Sequence, residues 1–197
     1  MFLKKKELQI LAEKPDIFGD IPENILSEEK INELKRIPRI AVGEVTGPES
    51  LKAIFHVLRK IEADAFLPSL AYTGTEYGSW RALDDYLLQF KKNVEKNLRV
   101  FVIDPVILGS PNFWWALNGR FGKDLRERFK FFIPCLGCQL YLHALRVPLC
   151  KKINARLLIY GDTGYDKTHG TIFQKKTAMY YYKTLLSSFG IDCLTPL

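Results

Sequence analysis

The chain has 197 residues, which is enough for one domain with a single hydrophobic core. Its apolar fraction of 47% is typical of a folded protein and excludes a disordered one. The formal net charge of +7 favours an anionic partner such as a nucleotide or a nucleic acid, although a solvated basic surface has the same sign. No apolar run is long enough to span a bilayer and no apolar signal segment follows the first lysines, so we expect a cytoplasmic protein without membrane contact.

Residues 1–38 are polar and contain prolines that separate short helical pieces. Ser27, followed by two glutamates, predicts a helix start, and Ile31 and Leu34 give that helix an inward face. We therefore expect a helical arm or cap at residues 1–38, laid against a main domain at residues 39–197.

A strand, a turn and a helix are predicted at residues 40–65. Ile40, Val42 and Val45 supply the β-branched content of a buried strand. Gly47 permits unusual backbone angles, and the proline after it fits the first position of a helix. Because such a helix begins at the carboxyl edge of a sheet, its backbone N–H groups and its dipole favour a phosphate there. The apolar residues that recur at helical spacing are Leu51, Ile54, Phe55, Leu58 and Ile61.

The rest of the chain alternates predicted strands and helices, which is the pattern of a parallel sheet with crossover helices. Helical spacing of apolar residues predicts helices at residues 79–96 and from Met179 to Phe189. Pro68 within the second strand requires an edge position or a bulge. We predict a Rossmann-like α/β fold, a three-layer sandwich with a mainly parallel five-stranded sheet. The strands after the first are expected at residues 66–72, 98–103, 156–160 and 191–194.

Loops with glycine and polar residues follow the predicted strands and fall on one edge of such a sheet, where ligands bind. In the second loop, Thr73, Gly74 and Glu76 are candidates to contact adenine or ribose, and an ordinary turn is the alternative. The loops lie at residues 46–50, 73–78, 104–110 and 161–170.

The loop at residues 161–170 offers ligands for a metal ion and for phosphate. Asp162 and Asp166 are candidates to bind magnesium, and Lys167 is a candidate to contact phosphate. Gly161 permits a close approach of the backbone. Gly, Asp and Thr are also ordinary turn residues, so a solvated turn is the alternative.

Cys135 and Cys138 form a C-x-x-C pair at the start of a predicted helix, where the helix dipole favours thiolates. Such thiolates bind zinc or an iron–sulfur cluster, or act in persulfide or disulfide chemistry; a pair of buried apolar residues is the alternative. Cys193 on the last strand either completes a three-cysteine metal site with them or packs in the core. His143 is poorly placed to join that metal site and shares a helix face with Arg146.

The loop after the first strand resembles the SGGxDS or SGxDS signature of PP-loop ATP pyrophosphatases. Thr46 stands at the first Ser of that signature, and Gly47 and Ser50 match its Gly and its last Ser. Glu49 replaces the Asp, and Pro48 occupies the variable or the second-Gly position and removes one backbone N–H. The resemblance implies that this loop holds the pyrophosphate of ATP.

Cys135 and Cys138 match a CxxC pair in the second half of PP-loop proteins that thiolate tRNA and of related adenine nucleotide alpha-hydrolase-like proteins. In several of these proteins the pair helps to ligate an iron–sulfur cluster. The resemblance covers residues 39–197 and implies a HUP-type domain. Many such proteins are longer, which implies that this chain lacks a substrate-recruiting module; a homodimer or a separate partner chain is a further expectation.

The resemblance implies an ATP-dependent enzyme that adenylates a substrate and releases pyrophosphate. Asp162 or Asp166 would hold Mg²⁺, and Lys167 would stabilise the transition state. Cys135 and Cys138 would carry sulfur, a [4Fe–4S] cluster or Zn²⁺ for transfer of sulfur to tRNA or to a small molecule. The alternative is a non-catalytic adenine-nucleotide-binding or regulatory domain, which the departures from the signature favour. A third hypothesis is an RNA-binding protein in which the cysteine pair holds zinc or a cluster.

Overall fold

The computed structural model describes residues 2–19, 21–75, 80–162 and 172–196. No helix within these ranges has both the length and the apolar content needed to cross a membrane. The helices are α1 (Lys5–Glu13), α2 (Glu28–Lys35), α3 (Pro48–Leu58), α4 (Arg81–Leu98), α5 (Pro111–Asn118), α6 (Gly122–Phe129), α7 (Pro134–Ala144), α8 (Arg146–Lys152) and α9 (Lys176–Ser188), with a 3-10 turn at Ile172–Gln174.

The strands form a single parallel sheet. They are β1 (Ile40–Val45), β2 (Ala65–Tyr72), β3 (Phe101–Val102), β4 (Val106–Gly109), β5 (Leu157–Ile159) and β6 (Asp192–Leu194). The order across the sheet is β3-β2-β1-β5-β6, and β4 also pairs with β2. Because β3 and β4 pair with opposite ends of β2, they are two segments of one interrupted strand. The predicted α/β fold with a mainly parallel sheet is confirmed.

The interruption between β3 and β4 lies opposite Pro68. β3 pairs with Ala65 and Phe66, and β4 resumes the pairing at Ser69. The N–H of Ile103 donates to the carbonyl of Phe66 at 2.9 Å. Pro68, two residues further along β2, therefore faces the same neighbour but has no N–H to donate. The expectation that Pro68 requires an edge or a bulge is wrong for β2 itself, which is an interior strand; the irregularity lies in its partner.

Helices cover both faces of the sheet, and the strands alternate between two cores. Ala41 and Val45 of β1 lie in a core with α1, α3 and α4. Ile40 and Val42 lie in a second core with α2, α7, α8 and α9. By the period of two along a strand, Glu44 points toward the second core and α7. This arrangement confirms the predicted three-layer sandwich.

Residues 2–38 contribute to both cores. Leu3 and Leu11 belong to the first core, whereas Ile31 and Leu34 belong to the second. The segment contains α1 and α2 and packs on both faces of the sheet, so the arm or cap at residues 1–38 stays a prediction. The domain boundary at residue 38 stays a prediction.

The segment between α1 and α2 runs along the outer edge of the sheet. Ile17 forms an antiparallel bridge with Gly109 of β4. The hydroxyl of Tyr72 donates to the carbonyl of Pro15. A bridge at this position partly shields an edge strand that would otherwise offer its backbone to other chains.

The predicted third strand at residues 98–103 is wrong in extent. Leu98 still belongs to α4, and Arg99 ends that helix in the left-handed conformation. Phe101, inside the predicted strand, is 58% exposed. The chain returns to the sheet after Pro105, so the expected loop at residues 104–110 is mostly the buried strand β4.

Candidate functional site

The carboxyl ends of β1 and β5 lie side by side at the point where the strand order reverses, and we refer to this place as the crevice. From β1 the chain builds the sheet outward through β2 to β4, and it then returns to place β5 on the other side of β1. In parallel sheets of this kind ligands bind at such a switch point. The loops after β1 and β5 touch here, because a Cβ built on Gly161 would lie 2.9 Å from the Cα of Ser50. The prediction that these two loops share one edge is confirmed.

Ser50 closes the turn between β1 and α3. Its hydroxyl accepts hydrogen bonds from the N–H groups of Thr46 (3.0 Å) and Gly47 (3.1 Å) and donates to the carbonyl of Gly47 (2.7 Å). Pro48 occupies the first turn of α3, as expected. Gly47 has φ 166° and ψ −172°, an extended conformation that any residue adopts, so the expected need for unusual backbone angles there is wrong.

Glu49 stands on the outer surface of this turn. Its carboxylate lies 3.2 Å from the Nζ of Lys52, and both side chains are largely exposed. Thr46 is also exposed. The side chains of the turn other than Ser50 therefore remain available to a ligand or to solvent.

A buried carboxylate lies beneath the crevice. Glu44 is the next-to-last residue of β1 and is 3% exposed. Its Oε2 lies 3.0 Å from the Nδ1 of His143 and 3.3 Å from the Nη1 of Arg146, and both partners are fully buried. His143 and Arg146 therefore share a helix face, as the sequence predicts, and that face meets Glu44.

Arg146 is held on several sides. Its Nε donates to the hydroxyl of Ser69 at 2.7 Å, and its Nη2 donates to the carbonyl of Ser69 at 3.1 Å. Its Nη1 donates to the carbonyl of Leu142 one turn earlier. The Ser69 hydroxyl donates in turn to the carbonyl of Gly43 at 2.8 Å. A buried guanidinium with these partners is satisfied as a cation, which such a group requires in a protein interior.

Burial and charge act in opposite directions on this pair. Burial alone raises the pKa of Glu44, but the charges of Arg146 and His143 and the hydrogen bonds to it outweigh burial and leave the pKa lowered. Burial lowers the pKa of Arg146, and the charge of Glu44 opposes that effect. Because arginine remains protonated in proteins, the pair is a buried ion pair.

Gln139 connects this ion pair to the crevice. Its Nε2 lies 3.5 Å from Oε1 of Glu44 and 2.5 Å from Oδ2 of Asp162, the third residue after β5. Burial, together with the charge of Glu44, raises the pKa of Asp162. Two carboxyl groups whose surroundings move their pKa values apart are suited to different roles. Glu44 remains ionised, and Asp162 can exchange a proton at the crevice.

The raised pKa of Asp162 predicts a change in stability for Asp162→Asn. The folded protein binds the proton of the Asp162 carboxyl more tightly than the unfolded chain does, in which the pKa of this group is about 3.8. Wild-type stability therefore falls as the pH rises from that value through the folded pKa. We expect Asp162→Asn, which keeps an acceptor for Gln139, to unfold at higher urea than wild type at neutral pH and at equal urea below pH 3.8. A variant less stable than wild type at neutral pH would contradict this.

His143 presents one more polar atom to the interior. Within the described part of the chain, its Nε2 has no hydrogen-bond partner. Its ring centroid lies 4.4 Å from that of Tyr160 and 5.0 Å from that of Tyr182. The Nδ1 contact with Glu44 orients the imidazole between these two rings.

The cysteine pair lies on the same helix as Gln139. α7 begins at Pro134, with Cys135 exposed and Cys138 half-buried in its first turns. The hydroxyl of Tyr182 donates to the carbonyl of Leu136, between the two cysteines, at 3.3 Å. Burial first, and then the charges of Asp162 and the cysteines, raise the pKa of Tyr182 to about 12. The pair is therefore in the neighbourhood of the crevice.

The structure does not place Cys193 in a metal site with the cysteine pair. It is half-buried on β6, and burial, opposed by a hydrogen bond with Tyr160, raises its pKa to about 12. Across the described ranges, no group of three or more His, Cys, Asp or Glu side chains is arranged to hold a metal ion. The three-cysteine arrangement with Cys135 and Cys138 is not found, and two thiolates do not fit the four ligands typical of zinc or [4Fe–4S] sites.

The loop after β2 approaches α5. Gly74 has φ +94°, and a Cβ there would lie 3.3 Å from Pro111. The Oγ1 atoms of Thr73 and Thr75 are 2.8 Å apart. A contact of Thr73 or Gly74 with adenine or ribose stays a prediction. Three candidates named from the sequence lie outside the described residues: Glu76, Asp166 and Lys167.

Comparison with known proteins adds little at the level of function. No family model matches the chain. A protein of Methanocaldococcus jannaschii described as uncharacterized is 29% identical over 170 residues, which cover 82% of this chain and 58% of that protein. The chain thus spans just over half the length of this relative. A solved structure described as a universal stress protein in complex with cAMP has a TM-score of 0.41 at 13% identity, and the match covers 80% of this chain and 95% of that one.

Proposed function

We propose that the chain binds an adenine nucleotide at the crevice between β1 and β5, with the phosphates at the N-terminus of α3. The observation that carries the proposal is the contact of Gly161 with Ser50 at the point where strand order reverses. A reversal point offers a crevice, and a helix that begins there directs its N–H groups and its positive dipole end into it. The resemblance of Thr46–Ser50 to a PP-loop supports the same placement.

The catalytic form of the proposal is transfer of the adenylyl group to a substrate oxygen. The substrate hydroxyl attacks the α-phosphorus, the bond to the pyrophosphate oxygen breaks, and pyrophosphate leaves. Asp162 is the residue that we propose takes the hydroxyl proton, since burial beside Glu44 favours its protonated form. tRNA or a small molecule is the proposed acceptor. When bound, Mg²⁺ would neutralise the phosphates; Asp162 cannot both hold this ion and take the proton, which leaves Asp166 as the candidate ligand of the ion.

The second candidate is a nucleotide-binding domain without turnover. Pro48 removes a backbone donor from the turn, and Glu49 is paired with Lys52 at the surface. The N–H groups of Thr46 and Gly47 already donate to Ser50, so a phosphate would have to compete for them. These features favour binding over catalysis, and release of pyrophosphate distinguishes the two candidates.

Gly47→Ala provides the direct test of nucleotide binding. The residue is extended and a Cβ there meets no atom within 4 Å, so the free protein should keep its stability. A methyl group at the turn would nevertheless obstruct a phosphate that approaches the backbone. We expect the affinity for ATP, measured by isothermal titration calorimetry with magnesium, to fall at least about tenfold, which is about 1.4 kcal/mol.

Thermal unfolding of the same variant serves as the control. Unchanged unfolding with weakened ATP binding supports the proposed phosphate position. Unchanged unfolding with unchanged ATP binding places the nucleotide elsewhere, and an absence of ATP binding by the wild-type chain rejects the proposal. A coupled assay for pyrophosphate then separates the enzyme from the non-catalytic domain.

A further inference from the structure

The region around α6 carries a surface that the crevice does not use. No residue of α6 is buried. The exposed fractions are 59% for Trp115, 52% for Phe121, 54% for Phe129 and 64% for Phe131. All four lie between residues 115 and 131 of the chain, and exposed apolar side chains concentrated in one segment indicate a contact surface. These four aromatic residues and the basic residues near them in the chain are named the aromatic–basic surface. The basic residues are Arg120, Lys123, Arg126, Arg128 and Lys130.

Arginine side chains lie over two of these rings. The guanidinium carbon of Arg120 is 5.3 Å from the ring centroid of Phe121, and that of Arg128 is 5.5 Å from the ring centroid of Phe129. Both distances are within the range of cation–π pairs. Each pair presents a flat apolar ring and a bidentate cation side by side.

The charge of this surface is positive. The stretch from Arg120 to Lys130 contains five basic and two acidic side chains, a net of +3, and its basic residues are exposed. One contact between opposite charges, from Lys123 to Glu127 at 3.8 Å, leaves the three arginines outside it. The surface therefore complements a flexible polyanion that also has flat apolar groups.

We propose that the aromatic–basic surface binds single-stranded nucleic acid. An unpaired base can stack on Phe129 or Phe131 while Arg128, whose guanidinium lies over the Phe129 ring, pairs with the phosphate. A lipid bilayer fits this surface less well. Insertion of Phe121 or Phe129 would carry the guanidinium that covers each ring into the hydrocarbon, where an arginine is costly.

The position of α5 connects this surface to the cysteine pair. Asn118 at the end of α5 packs on Gly137 of α7, because a Cβ on Gly137 would lie 2.4 Å from the Oδ1 of Asn118. α6 follows α5 and ends five residues before Pro134 opens α7, so a nucleic acid bound along α6 would lie close in the chain to the exposed Cys135. This proposal goes beyond nucleotide binding and does not depend on it.

The test is fluorescence anisotropy with fluorescein-labelled oligouridine and oligothymidine at several salt concentrations, without ATP. We expect wild type to bind, with log K falling by about 0.7 per phosphate neutralised as log salt rises. The double variant Phe129→Ala/Phe131→Ala should bind about tenfold or more weakly with the same salt slope, because stacking is lost and the charges remain. Arg128→Ala should reduce the slope by about 0.7.

Phe101→Ala is the matched control. Phe101 is 58% exposed and also has a cation over its ring, since the Nζ of Lys91 lies 5.3 Å from the centroid, but it is on β3. The Phe101→Ala variant should bind the labelled oligonucleotides with the same affinity as wild type. The proposal is overturned if wild type binds neither oligonucleotide, if the control loses as much affinity as the double variant, or if anionic vesicles bind the chain and oligonucleotides do not. Equal thermal unfolding of all variants checks the fold.

Discussion

Glu44→Leu is expected to lower the free energy of unfolding by about 3–5 kcal/mol. The change leaves the guanidinium of Arg146 buried without its carboxylate, which lies 3.3 Å away in the wild type. It also removes the acceptor that His143 contacts at 3.0 Å. A buried charge without its partner is among the largest single destabilisations known, because neither water nor an opposite charge replaces what was lost. Urea unfolding followed by circular dichroism measures the effect.

The double variant Glu44→Leu/Arg146→Met separates charge from shape. If the single change is costly because of the unpaired cation, removal of that cation should recover much of the stability, since buried ion pairs are often replaceable by apolar residues. Asp64→Asn provides an exposed comparison, because Asp64 pairs with Arg39 at the surface, and it should change stability little. If Glu44→Leu alone were as stable as wild type, that result would contradict the buried ion pair between Glu44 and Arg146.

Much of the fold follows from local pattern. Ile40, Val42 and Val45 form a buried strand because β-branched residues suit a sheet, and Pro48 opens the next helix because its missing N–H costs nothing there. The third strand was harder to place. Phe101 is apolar but exposed, and the strand breaks opposite Pro68 on a neighbouring segment of the sheet. Local pattern does not contain the position of that neighbour.

The sequence predicts one side of the buried part of the candidate site and not the other. The helical spacing of His143 and Arg146 predicts their shared face, but their partner Glu44 is 99 residues before His143. One signal for Glu44 was present: a single carboxylate in an apolar strand must be paired if it is buried. Gln139 carried no such signal, because an amide beside the cysteine pair is ordinary in sequence and acquires its role only through its contacts with Glu44 and Asp162.

Gly161→Ala is expected to damage the crevice from the opposite side to Gly47→Ala. A Cβ at Gly161 would lie 2.9 Å from the Cα and 3.2 Å from the Cβ of Ser50, so the loops after β1 and β5 must separate. Because the Cα of Ser50 is a backbone atom, it can move away only at a cost in stability. We expect this cost to lower the free energy of unfolding by about 1–3 kcal/mol. The displaced Ser50 hydroxyl would no longer hold the N–H groups of Thr46 and Gly47 in place.

The two glycine variants together locate the nucleotide. Gly161→Ala should lose both stability and ATP affinity, whereas Gly47→Ala should lose ATP affinity alone, because its methyl group meets nothing in the free protein. Urea unfolding and calorimetric titration on the same preparations give both quantities. If Gly161→Ala is destabilised and binds ATP as wild type does, the contact between the two loops supports the fold without forming the nucleotide site. If Gly161→Ala keeps wild-type stability, the close packing of Gly161 on Ser50 is itself refuted.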